Sequence, residues 1–295
     1  MKDVINYYYD LVIDRIYENN SKYFFYEDNK YYILECINGN KLKKLNALIE
    51  ELFNNKIVVS KIIETKNKKY SFTYKNQEYV IVMMPIIEST SVNLKDILKY
   101  NININDKFDF IKVNEIENMK NIVDYYEEVM SGYREEYMLI QTYFNYYVGL
   151  AENSISYLND ISDSSDTVYS ISHDHINKCI EGELADISNI TYNYRMKDIA
   201  SYIRYKIVNK EEWIREIEWF FNSFKLNDFD YKFIYSNVIF PSYFFDLIKL
   251  IISDKIKEEE IKKYTDNITY IEKEYNKLYN IICKYNKIVK IDWIK

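Results

Sequence analysis

The stretch Tyr23-Phe24-Phe25-Tyr26-Glu27-Asp28-Asn29-Lys30-Tyr31-Tyr32-Ile33-Leu34-Glu35-Cys36-Ile37 decides how this chain is read. Two runs rich in aromatic and branched residues, Tyr23–Tyr26 and Tyr31–Ile37, flank the polar Glu27-Asp28-Asn29-Lys30. Aromatic and branched side chains suit a pleated surface, and Asp and Asn suit a turn, so the stretch reads as a β-hairpin. Toward the N-terminus, residues 1–19 place Val4, Tyr8, Leu11, Val12 and Ile16 at helical spacing, which predicts a helix. Toward the C-terminus, a second helix carries Leu42, Leu45, Leu48, Ile49, Leu52 and Phe53 on one face. Three further strands are expected at Val58–Thr65, Lys69–Tyr74 and Glu78–Met84, parted by Lys66-Asn67-Lys68 and Lys75-Asn76-Gln77. Pro85 ends the run.

Residues 1–85 are thus expected to form a first domain, a five-stranded antiparallel sheet with a helix. Residues 86–295 are expected to form a second, mostly helical domain. Asp106–Tyr133 and Arg134–Leu158 both show apolar residues three and four apart, with Gly132 near their junction. A Ser/Asp-rich loop, Ser162–Asp166, leads to a short strand at Thr167–Ser172. Helices are then expected at Met196–Val208, Lys210–Phe224, Asp230–Phe240 and Tyr243–Ile252. From Lys257 to Tyr285 an apolar seam (Ile261, Tyr264, Ile268, Ile271, Tyr275, Leu278, Ile282, Tyr285) predicts one long helix, docked on its own domain or paired as a coiled coil. Trp213, Trp219, Phe220, Phe221 and Phe224 are expected in the core.

A chain of 295 residues can bury about 70–75 % of its unfolded surface and needs no disulfides. Its three cysteines, Cys36, Cys179 and Cys283, are scattered, with no metal-knuckle spacing, which fits a reducing compartment. The first ten residues lack an apolar signal region, and the densest apolar stretch, Phe244–Ile252, is interrupted by Asp246 and Lys249. Neither a secretory leader nor a membrane span is expected. With 39 basic and 46 acidic residues the chain lacks the basic surplus of a nucleic-acid binder. The 33 tyrosines fit either the drift of an AT-rich genome or a surface selected for protein contact.

The chain has two histidines, and they flank one aspartate in Ser172-His173-Asp174-His175-Ile176-Asn177. Three readings are open. Alternate residues of a strand share a face, so His173 and His175 could ligate a metal. Asp174 or a histidine could act as a general base. Or the group is structural, its buried polar atoms fixing a loop.

Three segments carry a resemblance. Phe144–Ile155, in the order Phe-Asn-Tyr-Tyr-Val-Gly-Leu-Ala-Glu-Asn-Ser-Ile, looks like the "PYYLGLAENAIQY" segment of the CotS/YutH-type spore coat family. Met196–Arg204 is similar to that family's "VRDIAEYIR", and Val238–Phe244 resembles its "LLFPLHYF". The order of the three is also the family's. The resemblance implies a bilobal protein-kinase-like fold of the aminoglycoside phosphotransferase and choline kinase branch, α+β in class. In that fold the order strand, strand, helix, strand, strand, strand is the small lobe, and a mostly helical lobe follows.

Active members of that branch use a His-Gly-Asp-x4-Asn loop for base and metal ligand, a later Asp for Mg²⁺, and a small-lobe Lys for the nucleotide phosphates. Carried over, the catalytic loop falls on His173-Asp174-His175, which lacks the Gly. Asn177, the second metal ligand of an active protein, follows Asp174 by three residues rather than five. The metal-binding Asp falls on Asp186, twelve residues before Asp198 as in the family pattern. Asp198 is implied to be structural, at the start of a large-lobe helix. Glu35 stands where the phosphate-anchoring Lys is expected, and Tyr23–Lys30 holds no glycine. Asp186 and the His173-Asp174-His175 loop are expected to converge at the cleft between the lobes.

The resemblance therefore implies a catalytically degenerate, spore-coat-associated protein with a structural or interaction role among other coat proteins. It would reside in the mother-cell cytoplasm and the coat and need no cofactor. The alternative is an active small-molecule or protein kinase of the same branch, using ATP and Mg²⁺.

Overall fold

The computed structural model describes residues 1–294 apart from 20–21, 38, 86–90, 103–110, 134–135, 160–167, 175 and 177–179. By packing, the chain divides into two compact units, residues 1–112 with 171–192 and residues 113–170 with 193–295. This partition follows contacts, whereas the boundary expected at residue 85 follows the change from strands to helices.

The first unit opens with α1 (Lys2–Tyr8), β1 (Ile16–Asn19), β2 (Lys22–Glu27), β3 (Lys30–Cys36) and α2 (Gly39–Asn54). It continues through β4 (Lys61–Ile62), β5 (Phe72–Tyr74), β6 (Gln77–Met83) and α3 (Leu94–Tyr100). The strands form one antiparallel sheet of order β1-β2-β3-β6-β4, with β5 paired to β6. Asp28 and Asn29 take φ of 48° and 60°, as do Lys75 and Asn76 at 50° and 61°. Both pairs make two-residue turns of the kind whose twist matches a hairpin, and Asp and Asn tolerate the left-handed region.

The sheet has six strands rather than five, because residues 1–19 are not one helix. α1 stops at Tyr8, Tyr9 is extended at φ −123° and ψ 154°, and residues 16–19 pair with β2. The apolar spacing serves packing instead: Ile5, Tyr9 and Ile13 are buried with Phe25, Tyr32, Leu34, Phe72, Tyr79 and Ile81 in one cluster. Those sheet residues lie on one face by the two-residue period. The other face of the same strands carries Lys22, Phe24, Tyr26, Tyr31, Ile33 and Glu35. The expected strand Val58–Thr65 is regular only at Lys61–Ile62.

In the second unit α4 (Glu115–Gly132) and α5 (Met138–Asn159) pack together. α4 begins at Glu115, whereas the helix was expected from Asp106; residues 103–110 lie outside those described. The loop Ser162–Asp166 also lies outside them. β7 (Tyr169–His173) pairs with β8 (Ile190–Tyr194), a strand not foreseen from the sequence; between them α6 (Glu181–Ala185) and a 3₁₀ turn at Ile187–Asn189 belong to the first unit. Then follow α7 (Lys197–Val208), α8 (Ile214–Ser223), α9 (Asp228–Ile239) and α10 (Ser242–Ile252). α9 is buried nearly all round, from Phe229 to Ile239 except Lys232, and α5 and α7 pack against it. Ser154 of α5 and Ser236 of α9 each donate a hydroxyl to the other's carbonyl, at 2.8 and 2.7 Å.

The expected single helix Lys257–Tyr285 is broken. A 3₁₀ turn at Glu258–Ile261 leads to α11 (Lys262–Thr265), and α12 (Ile268–Ile282) begins after Asp266-Asn267. The seam itself docks on its own unit: α12 packs on α9 and α7, and Ile271, Tyr275, Leu278 and Ile282 are buried. Among the aromatics expected in the core, Trp213, Phe220 and Phe221 are buried, but Trp219 and Phe224 are 38 % and 43 % exposed. Those two fall on the outer side of the short α8 and its end. Among the described residues no helix is long and apolar enough to cross a membrane.

Candidate functional site

The candidate residues of the first unit gather around one turn. β7 ends at His173, whose ring is 1 % exposed. Its Nε2 lies 3.0 Å from the Leu184 carbonyl oxygen, which can only accept, so Nε2 carries the proton. The ring meets Tyr100 edge-on at 5.2 Å, and the Tyr100 hydroxyl donates to the Val58 carbonyl at 2.8 Å. These are the contacts of the structural reading. The next residue, Asp174, donates its backbone N–H to the Asn189 carbonyl at 2.8 Å and exposes its side chain. His175 and Asn177 lie outside the described residues. Among the described residues no group of three or more His, Cys, Asp or Glu is placed to hold a metal.

The stretch from Leu184 to Asn189 is therefore held against the end of β7. It is also fastened to the segment before β4. Ser60, fully buried, donates its N–H to the Ala185 carbonyl at 2.7 Å, and its hydroxyl accepts from the Ile187 N–H at 2.9 Å. Asp186 sits between these two anchor points. Its Oδ1 accepts from the Ser188 N–H at 2.9 Å and the Ser188 hydroxyl at 2.8 Å, which caps the 3₁₀ turn. The Asn189 side-chain amide closes the loop onto the Glu183 carbonyl at 3.0 Å.

The other face of the sheet supplies the rest. Lys22 Nζ lies 2.8 Å from Glu35 Oε2 and 2.8 Å from Ser188 Oγ. Since the Ser188 hydroxyl donates to Asp186, its lone pair is what faces the ammonium. A chain results: Glu35 carboxylate, Lys22 ammonium, Ser188 hydroxyl, Asp186 carboxylate. Burial, with smaller contributions from Tyr26 and the Asp186 carboxylate, pushes the Tyr31 phenol above its ordinary value. Two carboxylates face one ammonium, so the group is net negative. A triphosphate needs the opposite, because phosphoryl transfer depends on cations that cancel its charge.

Lys22 was not singled out by sequence reasoning, although a signal existed. A two-residue turn at Asp28-Asn29 makes Glu27 face Lys30, and counting outward by five on each strand sets Lys22 across from Glu35. Asp198, by contrast, belongs to the second unit. It is 3 % exposed in the first turn of α7, where a carboxylate favours the helix dipole.

The chain is similar over its whole length to solved kinase-like structures. An aminoglycoside phosphotransferase from Alicyclobacillus acidocaldarius matches with a TM-score of 0.66 at 9 % identity, over 96 % of this chain and 97 % of that one. A spectinomycin phosphotransferase, solved in complex with ADP and spectinomycin, matches with a TM-score of 0.59 at 12 % identity over 96 % of each chain. At such identities the likeness establishes the fold, an antiparallel-sheet lobe followed by a mostly helical one. No curated protein matches the sequence. Residues 111–284, more than half of the chain, match the family described as "Spore coat putative kinase YutH", and the chain belongs to that family.

Proposed function

We propose that this protein is a kinase-like component of the spore coat that no longer transfers phosphate and works through contacts with other coat proteins. The family supports the coat context. The observation that carries the loss of catalysis is Glu35 on β3, a carboxylate where the fold's active members place a lysine, ion-paired at 2.8 Å to Lys22. A triphosphate brought there meets a group in which Glu35 and Asp186 outweigh Lys22, and like charges a few ångströms apart cost about 4 kcal/mol at an intermediate dielectric. His173, tied to the Leu184 carbonyl, keeps a structural task in this reading. The protein then needs no cofactor and resides in the mother-cell cytoplasm and the coat.

Calorimetric titration with ATP and Mg²⁺ is the direct test. No heat of binding at millimolar nucleotide is expected, and micromolar affinity would sink the proposal. A fluorescent fusion followed through sporulation tests the coat assignment.

A second reading has one observation in its favour: Asp186 is retained on a firmly anchored turn, and a structural neighbour was solved with ADP. Here the protein is an ATP-dependent phosphotransferase, with Asp174 in the loop that holds the base and Asp186 and Asn177 as Mg²⁺ ligands. Micromolar nucleotide affinity that is lost in Asp186→Asn would favour it.

A further inference from the structure

We propose that Lys22 is a latent polyphosphate-binding cation and that Glu35 is the residue that silences it. The inference rests on the reading of this site as silent toward nucleotide and explains what keeps it so.

The ammonium is in place. Lys22 Nζ stands at the start of β2, 2.8 Å from Ser188 Oγ on the Asp186 turn, and its side chain is 35 % exposed. Glu35 lies beneath it, its side chain 12 % exposed. An ammonium has three N–H donors. Among the described residues Glu35 and Ser188 take two, leaving one for water or a ligand.

What the site lacks is net charge. Glu35 and Asp186 outweigh Lys22, so an arriving anion is repelled by the sum although an ammonium faces it. Removing the charge of Glu35 changes the local sum from −1 to zero. With Gln the amide oxygen can still accept the N–H that now points at Glu35, so the gain is in charge, and the third N–H is the one a phosphate oxygen accepts. Because a partly exposed ion pair contributes little to stability, the protein should tolerate this change. The ligand is defined by the same chemistry: a chain of phosphates, which offers several acceptors to one ammonium and a hydroxyl. Charge-assisted bonds of this kind are the strong ones.

The test titrates sodium tripolyphosphate, without added divalent metal, into the wild-type chain, Glu35→Gln, and Lys22→Met with Glu35→Gln, after thermal scans establish that each is folded. We expect no binding by the wild type at millimolar ligand. Glu35→Gln should bind at least about tenfold more tightly, the scale of one nearby charge at the protein surface. That affinity should fall with salt and vanish in the double variant. ATP titrated in parallel separates a site for the bare chain, with equal affinities, from one that also holds a nucleoside, with ATP tighter; both support the proposal.

A folded Glu35→Gln that gains nothing overturns the proposal and leaves the coat reading standing. A gain that survives loss of Lys22 overturns it too, since another group is then the cation. Wild-type binding as tight as the variant's overturns both this inference and the silent-site reading. Glu35→Ala is a second variant expected to behave alike, and failure of both to fold would overturn the idea that the pair is dispensable.

Discussion

Ser60 and Ile187 are 127 residues apart in sequence, yet the buried Ser60 hydroxyl accepts the Ile187 N–H at 2.9 Å. With the bond from Ser60 N–H to the Ala185 carbonyl, this brackets Asp186 on both sides. The turn that presents Asp186 is therefore set by the sheet side of the first unit and not by its own residues alone. Ser60→Ala keeps the backbone bond and removes the hydroxyl, leaving the Ile187 N–H buried and unsatisfied. The cost expected is about 1–3 kcal/mol, seen as a lower midpoint in urea with an unchanged slope. A midpoint within error of wild type would show that the turn finds another partner.

A comparable long-range contact governs the second unit. Glu258 Oε1 accepts the backbone N–H groups of Leu139 and Ile140, at 2.8 and 3.1 Å, from 119 and 118 residues away. These are orphan donors of the first turn of α5, the 22-residue helix. A carboxylate there both satisfies them and favours the helix dipole. Glu258→Ala should cost roughly 0.5–2 kcal/mol and Glu258→Gln less, since the amide oxygen still accepts. Equal losses for the two variants would rule out the charge contribution.

Much of this was legible in the sequence, and the parts that were not have physical reasons. The hairpin Tyr23–Ile37 was readable because Asp28-Asn29 is a local signal. β1 was not, because Leu11, Val12 and Ile16 continue a helical spacing by chance while Tyr9 and Ile13 reach the core from beyond the end of α1. The seam after Lys257 was read correctly as to the burial of Ile261, Ile271, Tyr275, Leu278 and Ile282, but not of Tyr285, which is exposed, and wrongly as to continuity, since the helix breaks at Asp266-Asn267. Asp186 was singled out only through the family resemblance, by its spacing to Asp198. The meaning of Lys22 could not be read from residue type, because a lysine on a strand is ordinary until the register sets it opposite a carboxylate.

The structural role expected of Asp198 can be tested apart from any chemistry. It is buried in the first turn of α7, whose N-cap Met196 offers no side-chain cap. Asp198→Ala should lower stability by roughly 1–2 kcal/mol, with no dependence on any ligand. An unchanged unfolding midpoint would remove it from the framework of the second unit.

The tryptophans of α8 and its approach should separate cleanly. Trp213 is 3 % exposed and donates its indole N–H to Glu274 Oε2 at 2.9 Å. Trp213→Phe leaves that buried oxygen short of a donor and should cost about 1–3 kcal/mol. Trp219 is 38 % exposed, and Trp219→Phe should stay within about 0.5 kcal/mol of wild type. Thermal scans of the two variants side by side decide the point, and a larger loss for Trp219→Phe would contradict the packing described.

The last prediction concerns pH and rests on Glu115, which is 2 % exposed at the start of α4. Burial alone would raise its carboxyl, but the Lys197 ammonium at 2.9 Å, helped by hydrogen bonds from Asn193 and Asn237, outweighs burial and holds it below the usual carboxylate range. A depressed folded pKa means that the unfolded chain takes up the proton first as pH falls. The stabilisation is thus complete above the unfolded value near 4.3 and is lost as pH drops through the folded one. Wild-type stability should decline over that window, and Glu115→Gln should flatten the decline. At neutral pH the same variant should cost roughly 3–5 kcal/mol, because it leaves Lys197 nearly buried without its counter-charge. Lys197→Met in the Glu115→Gln background should recover part of the loss, since the pair is then absent rather than broken. Urea titrations at a series of pH values measure the wild type and both variants. An acid decline equally steep with and without Glu115 would show that other carboxylates dominate it.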